Sequence, residues 1–164
     1  MTRAAAIGGA TLALLLVAAE DGEGGGCRGT REVDVTVVRS GPHCGGDAAE
    51  PSARLLRTRE ELDAAFRSEL GAEIPPVDLD RDAVVLVSAG QRPTAGHAVE
   101  LASPKAAARG KVGALRVRIT RPDPTALVAQ VVTSPCLVVR IPREGLFEVK
   151  VLEGESLLAT VTLR

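Results

Sequence analysis

The chain has 164 residues, of which 45% are hydrophobic, and a formal net charge of −1 from 20 basic and 21 acidic side chains. This length allows one domain with a substantial apolar core, and the balanced charge supplies no field that would attract nucleic acid or an anionic membrane surface. The chain has no Trp or Tyr and only two Phe, so it also lacks the aromatic platforms on which single-stranded nucleic acid stacks.

The first 19 residues have the pattern of a secretory signal peptide. Arg3 gives a basic start, residues 4–17 are apolar, and small residues at 17–19 form a signal-peptidase site. We predict cleavage after Ala19, export to the periplasm or medium of a bacterium, and no membrane span in the mature chain. One alternative is an uncleaved membrane anchor, for which the apolar run is short. The other is a lipoprotein modified at Cys27, but the sequence lacks the Leu or Val that a lipobox places three residues earlier.

A flexible leader rich in Gly and charge is predicted over residues 20–30, followed by a single β-rich domain over 31–164. Export to an oxidising compartment permits a disulfide. The cysteines are Cys27, Cys44 and Cys136, and they allow three single pairings. The short separation of Cys27 and Cys44 within Gly-rich surroundings favours a bond between these two, which leaves Cys136 as a buried thiol.

The first half of this domain predicts a strand and then a helix. Val33, Val35 and Val37 alternate with other residues, as in a half-buried strand. Residues 58–61 read Thr-Arg-Glu-Glu, which is a capping box, and apolar residues at four-residue spacing follow it. We therefore predict a helix over about 59–70.

Further apolar runs, separated by Gly and Pro, predict several short strands. The run at 83–87 is apolar at every position, which is typical of a central strand covered on both faces. The run at 115–120 alternates, as a half-covered strand does. The other runs lie at 53–57, 98–101, 128–133, 137–141, 147–151 and 157–163. The fold predicted from this spacing is mainly β, an antiparallel β-sandwich or partly open barrel of about seven to nine short strands with one α-helix.

The loop over residues 88–97 is the candidate site of contact with a partner. Gly90, Pro93 and Gly96 set tight backbone angles between two predicted strands. A loop that is held by rigid strands and stiffened by a proline loses little conformational entropy on binding. The candidate partner-binding residues are Gln91, Arg92, Pro93, Thr94, Ala95, Gly96 and His97.

No catalytic residue, cofactor site or metal site is predicted. The two histidines, His43 and His97, accompany no Gly-x-Ser-x-Gly nucleophile motif and no phosphate-binding glycine motif. A metal site from Cys27, His43, Cys44 and Cys136 is the alternative, but no Cys-x-x-Cys or His-x-x-x-His spacing supports it. We therefore predict that the protein is not an enzyme.

Four features lie in order along residues 78–142. They are Asp78, the apolar run at 83–87, the loop Gly-Gln-Arg-Pro-Thr-Ala-Gly-His at 90–97, and Val-Val-Thr-Ser-Pro-Cys-Leu-Val-Val-Arg-Ile-Pro at 131–142. Together they resemble the C-terminal domain of the PrcB family, whose members are accessory subunits associated with a secreted bacterial protease complex. The resemblance implies an exported, non-catalytic, protein-binding domain, with a secreted protease as the expected partner.

The chain departs from the family pattern at three positions. His97 and Cys136 stand where the family usually has tyrosines, and Ala95 replaces a glycine. If those tyrosines anchor a partner, the resemblance implies a different anchor in this chain.

The core of the loop carries a second similarity. Residues 92–96 read Arg-Pro-Thr-Ala-Gly and share Pro-Thr-x-Gly with the Asn-Pro-Thr-Thr-Gly loop of chagasin-like inhibitors of cysteine proteases. The alternative function is thus a protease inhibitor that presents the Gly90–Gly96 loop, and a simple strand-joining turn would explain the same residues.

Overall fold

The computed structural model describes residues 29–44, 46–67 and 74–164. Within these ranges the chain forms ten strands and one helix, α1 (Arg59–Phe66). The predicted signal peptide, most of the predicted leader and Cys27 lie outside the described residues. The strands are β1 (Thr30–Asp34), β2 (Thr36–Gly41), β3 (Ser52–Leu56), β4 (Asp82–Ser88), β5 (Ala98–Leu101), β6 (Lys105–Arg109), β7 (Val112–Thr120), β8 (Cys136–Pro142), β9 (Glu148–Glu153) and β10 (Ser156–Thr162).

The larger sheet is organised around β7. Its six strands follow the order β1-β6-β7-β9-β10, with β5 also paired to β7. β6 and β5 lie antiparallel to the two ends of β7, while β9 lies parallel to it. Leu115, Val117 and Ile119 of β7 are buried, and Arg116 and Arg118 between them are exposed. The alternation predicted for this strand is therefore confirmed.

The smaller sheet contains four antiparallel strands in the order β2-β8-β4-β3. β4 lies in its interior, and residues 83–88 are all buried. In the β4–β8 register Ser88 lies opposite Cys136, at the end of one strand and the start of the other. The loop that follows β4 consequently begins beside the chain that enters β8.

Both faces of the smaller sheet are covered. Val85 and Val139 belong to the main core, which lies between the two sheets. Val84 and Val138 face the other way and pack in a second core that includes Phe66 of α1. The prediction that the run at 83–87 is covered on both faces is confirmed.

The helix begins as its sequence predicts. The amide of Glu61 donates to Oγ1 of Thr58 at 3.2 Å, and Oε2 of Glu61 accepts from the amide of Arg57 at 2.5 Å. These two bonds satisfy amides at the helix start that have no partner within the helix. The helix ends at Phe66 with Arg67 as its C-cap, earlier than the predicted residue 70. Residues 68–73 lie outside the described ranges.

The prediction of a mainly β fold is confirmed: the described strands form two sheets that pack face to face, without a closed barrel. Several details differ. The described ranges contain ten strands, and the β7–β9 pair is parallel. The single half-buried strand predicted from Val33, Val35 and Val37 is two strands in different sheets, β1 and β2, and Val37 is exposed. The predicted strand over 128–133 is wrong, since residues 121–135 contain no strand and only two isolated bridges, at Thr133 and Ser134. No helix in the described part of the chain has the length and apolar character needed to cross a membrane.

Candidate partner-binding surface

The tip of the loop after β4 is accessible, as predicted, while its base is not. Ser88, Ala89 and Gly90 are buried. Gln91, Pro93 and Gly96 are exposed, whereas the remaining candidate residues are half-buried, namely Arg92, Thr94, Ala95 and His97. The loop therefore rises from the core and presents its proline and second glycine to solvent.

The backbone at the base of the loop adopts a conformation that requires glycine at position 90. Gly90 has a φ of +78°, and a Cβ at this position would lie 2.3 Å from the carbonyl oxygen of Ala49. Its amide donates to Oγ of Ser88 at 3.0 Å, and the guanidinium of Arg92 donates to the carbonyl of Ala89. Because the φ is positive and Ala49 leaves no room for a Cβ, only glycine fits here.

The loop pairs along its length with residues 121–135. The amides of Arg92 and Thr133 each donate to the other's carbonyl at 2.8 Å, and the amide of Ala95 donates to the carbonyl of Ala129 at 3.0 Å. Oγ1 of Thr133 also donates to the carbonyl of Thr94 at 3.1 Å. Residues 90–97 and 121–135 thus form one surface, which we call the double loop.

The double loop exposes aliphatic side chains. Leu127 is fully exposed, and Val131 and Val132 are 50% and 64% exposed. Val131 and Val132 belong to the β-branched run that predicted a strand over 128–133, but the segment lies at the end of the sandwich, outside both sheets. Sequence reasoning missed this surface. The signal that would have revealed it is the proline content of the segment, since Pro122, Pro124 and Pro135 interrupt strand pairing.

Two arginines of the double loop lie near enough to His97 to affect its titration. Burial lowers the pKa of His97 below its ordinary value of 6.5, and the charges of Arg92 and Arg121 lower it further. Nδ1 of His97 is buried and has no hydrogen-bond partner in the described part of the chain. His97 is therefore neutral at neutral pH, and the positive charge of the surface comes from the arginines.

The one carboxylate of the double loop belongs to Asp123. It accepts from the hydroxyl and the amide of Thr125, and these two bonds lower the pKa of Asp123. Both bonds are made to Oδ1 of Asp123, within its own turn. With Arg92 and Arg121 against one carboxylate, the double loop carries a net positive charge.

A cleft of about 240 Å³ beside the double loop is lined by His43, Asp47 and Ser134, among other residues. The hydroxyl of Ser134 donates to the carbonyl of Gly46. Within the described ranges, no hydrogen bond links Ser134, His43 and Asp47 to one another. The described residues also contain no group of three or more His, Cys, Asp or Glu side chains that could hold a metal ion.

A disulfide joins Cys44 to Cys136, with their Cα atoms 5.4 Å apart. The prediction that Cys44 pairs with Cys27 and leaves Cys136 as a free thiol is therefore wrong. The reason is strand pairing: Gly41 at the end of β2 lies opposite Cys136 at the start of β8, and this register brings Cys44 close. The bond spans 92 residues of sequence and lies beside Ser134, at one end of the double loop.

These features define the class of the protein as a two-sheet β module with an apolar double loop at one end. Residues 83–142 match the family described as PrcB C-terminal, which confirms the resemblance predicted from the sequence motifs. The match suggests an accessory domain of a protease complex, from a family that is not known to be catalytic. No curated protein and no solved structure gives a significant match to this chain.

The matched segment runs from β4 to β8 and contains the whole double loop. The two motif stretches that carry the resemblance meet in space, because Arg92 from one pairs with Thr133 from the other. Of the two positions where the family usually has tyrosine, Cys136 is fully buried and disulfide-bonded, whereas His97 is half-buried in the double loop. Only His97 is placed where a side chain can contribute to the surface.

Proposed function

We propose that the protein is an exported, non-catalytic, protein-binding accessory module that acts with a secreted protease. The observation that carries this proposal is the exposure of Leu127, Val131 and Val132 on a segment held by backbone hydrogen bonds. The match to the PrcB C-terminal family supports the link to a protease, and the signal-peptide pattern of the first 19 residues supports export.

The physical case for binding rests on preorganisation. Apolar surface gains roughly 25 cal/mol per Å² when it leaves water, and a fixed loop loses little further entropy when a partner covers it. Arginine is a frequent binding anchor at protein interfaces, and Arg92 and Arg121 both lie near His97. A partner that covers the three aliphatic side chains would therefore gain apolar contact with them and polar contact with the arginines.

The test is co-purification from the native host. The double variant Leu127→Asp, Val132→Asp is expected to lose the associated protein, because each new carboxylate would have to be desolvated in the interface. Leu157→Asp is the matched control, since Leu157 is 56% exposed but lies on β10 of the larger sheet. Wild-type protein that is secreted and purifies with no associated protein would contradict the proposal.

The second candidate is a protease inhibitor that inserts the Gly90–Gly96 loop into a protease active site. The observation in its favour is that Pro93 is exposed, while Arg92 before it and Ala95 after it are held by backbone hydrogen bonds to the 121–135 segment. Inhibition of papain-like or subtilisin-like proteases that is lost in Pro93→Ala would support it. Full protease activity at micromolar concentrations of this protein would remove it.

A further inference from the structure

The connection between β2 and β3, of which the structure describes residues 42–44 and 46–51, is bonded to the double loop at several positions. The carbonyl of Pro42 accepts from the amide of Ser134 at 2.7 Å, and the carbonyl of Gly46 accepts from the hydroxyl of the same serine. The carbonyl of Ala48 accepts from the amide of Gln91 at 2.8 Å. The disulfide to β8 adds a covalent bond within the same connection.

Asp47 lies between two of these bonded residues, and its carboxylate is unoccupied by the rest of the protein. It lines the cleft of about 240 Å³ together with His43, Gln91 and Val132, among other residues. Asp47 and Gln91 are exposed, and in the described part of the chain neither side chain has a hydrogen-bond or ion-pair partner. The backbone of Asp47 is therefore held in place, while its carboxylate keeps its full capacity to accept hydrogen bonds.

The charge on this side of the double loop is negative. The β2–β3 connection contains Asp47 and Glu50 but no Lys or Arg. None of the described Lys or Arg residues lines the cleft, and the guanidinium of Arg92 donates instead to the carbonyl of Ala89. A basic group that approached the cleft would be attracted by the carboxylates, and an acidic group would be repelled.

The cleft combines this charge with apolar surface and a small volume. Val132, which is 64% exposed, contributes the apolar surface. Lysine and arginine side chains pack their aliphatic stems along such surface and extend their charged ends to polar groups. Sites for small molecules usually have volumes of about 300–1,000 Å³, so a cleft of about 240 Å³ matches a single side chain better than a separate ligand.

We propose that this cleft binds a basic side chain of the partner protein, with its charged end at the carboxylate of Asp47 and its stem against Val132. The inference rests on the proposed function and identifies a specificity contact within it. The partner places an Arg or Lys next to the residues that cover Leu127 and Val131. The side-chain carbonyl of Gln91 supplies a second, neutral acceptor for the same group.

The test is co-purification from the native host with charge variants of the β2–β3 connection. Asp47→Asn keeps the size of the side chain and removes its charge, and it should fold like wild type because Asp47 is exposed. We expect the affinity for the associated protein to fall about ten- to a hundredfold, which corresponds to the loss of one hydrogen bond between charged groups.

Glu50→Gln is the matched control. Glu50 is exposed on the same connection but does not line the cleft, so this variant should retain the associated protein like wild type. Partner binding that is unchanged or tighter in Asp47→Asn would overturn the inference. An equal loss in Glu50→Gln would also overturn it, because the cleft would then not be the site of the charge contact.

A peptide probe tests the same contact without the host partner. A capped pentapeptide with a central arginine between valines is titrated against the secreted protein, beside the same peptide with citrulline, a neutral analogue of arginine. The arginine peptide should bind more tightly and shift the NMR amide signals of Asp47, Gln91 and Val132, and Asp47→Asn should remove its advantage. An arginine peptide that binds no better than the citrulline peptide would contradict the inference.

These outcomes separate the inference from the proposed function. If Asp47→Asn captures the host partner as well as wild type but the Leu127→Asp, Val132→Asp double variant does not, the protein-binding function stands and the basic contact is wrong. If wild-type protein captures no partner at all, both are wrong.

Discussion

Strand β4 and the segment at 128–132 have similar side chains and opposite surroundings. Residues 83–87 read Ala-Val-Val-Leu-Val and are at most 2% exposed, whereas 128–132 read Val-Ala-Gln-Val-Val and include valines that are 50% and 64% exposed. β4 has a paired strand on each edge, whereas in the described part of the chain the second segment pairs only with the 90–97 loop. A β-branched composition therefore favours an extended backbone, but it does not determine whether the segment pairs into a sheet.

The largest expected effect is the difference in free energy of unfolding between an aspartate placed in β4 and an aspartate placed in the 128–132 segment. Val85→Asp puts a carboxylate among fully buried side chains and should cost more than about 4 kcal/mol, enough to prevent folding. Val132→Asp should change the free energy of unfolding by less than about 0.5 kcal/mol. Urea unfolding of the two variants checks this. A similar loss in both would mean that 128–132 is as buried as β4.

The disulfide joins the chain before β3 to the start of β8, next to the double loop. Replacing Cys44 and Cys136 together by Ser should lower the free energy of unfolding by about 2–4 kcal/mol, since the bond closes a long loop. Cys27→Ser is the matched control and should unfold like wild type. Loss of stability in Cys27→Ser would instead support the Cys27–Cys44 pairing, and no loss in the double variant would mean that Cys44 forms no stabilising disulfide.

Gly90 tests whether the base of the loop is as rigid as the core below it. Gly90→Ala combines a positive φ with a Cβ 2.3 Å from the carbonyl oxygen of Ala49, and should cost about 3 kcal/mol. Gly154 also has a positive φ, +61°, but its added Cβ would meet no atom within 4 Å. Gly154→Ala should therefore cost only about 1 kcal/mol. Equal costs, measured by thermal unfolding, would show that the contact with Ala49 is not maintained.

The smallest expected effect is a pH dependence from His97. Burial and the neighbouring arginines lower its pKa in the folded protein, so the unfolded chain binds more protons as the pH falls. The stability that neutral His97 contributes is therefore present above about pH 6.5 and is lost as the pH drops below that value. His97→Asn should reduce the change of the urea midpoint with pH between about pH 7.5 and pH 5. A slope unchanged by His97→Asn would contradict this assignment.

The sequence alone predicted those structural features that depend on a local pattern of residues. The capping box at Thr58 located the start of the helix, and the alternation in β7 located its buried face. The exposed tip of the 90–97 loop followed from Pro93 and Gly96. These features depend on neighbours within a few residues, so they can be read without knowing the topology.

Features that depend on distant pairing were missed. The Cys44–Cys136 bond requires the β2–β8 register, and the parallel β7–β9 pair requires a connection that no local pattern reports. The same holds for Val131 and Val132, whose exposure depends on the absence of a sheet partner in the described fold. The pairing of Arg92 with Thr133 was equally hidden, although both residues lie in the stretches that carry the family resemblance.

Hydrogen exchange on the secreted protein, alone and in concentrated supernatant of its native host, tests the central claim most directly. Slower amide exchange at residues 127–132 in the supernatant, with no change around Leu157 on β10, is the predicted result. Unchanged exchange at 127–132, or protection found only on the larger sheet, would contradict the assignment of the double loop as the surface that binds a protein partner.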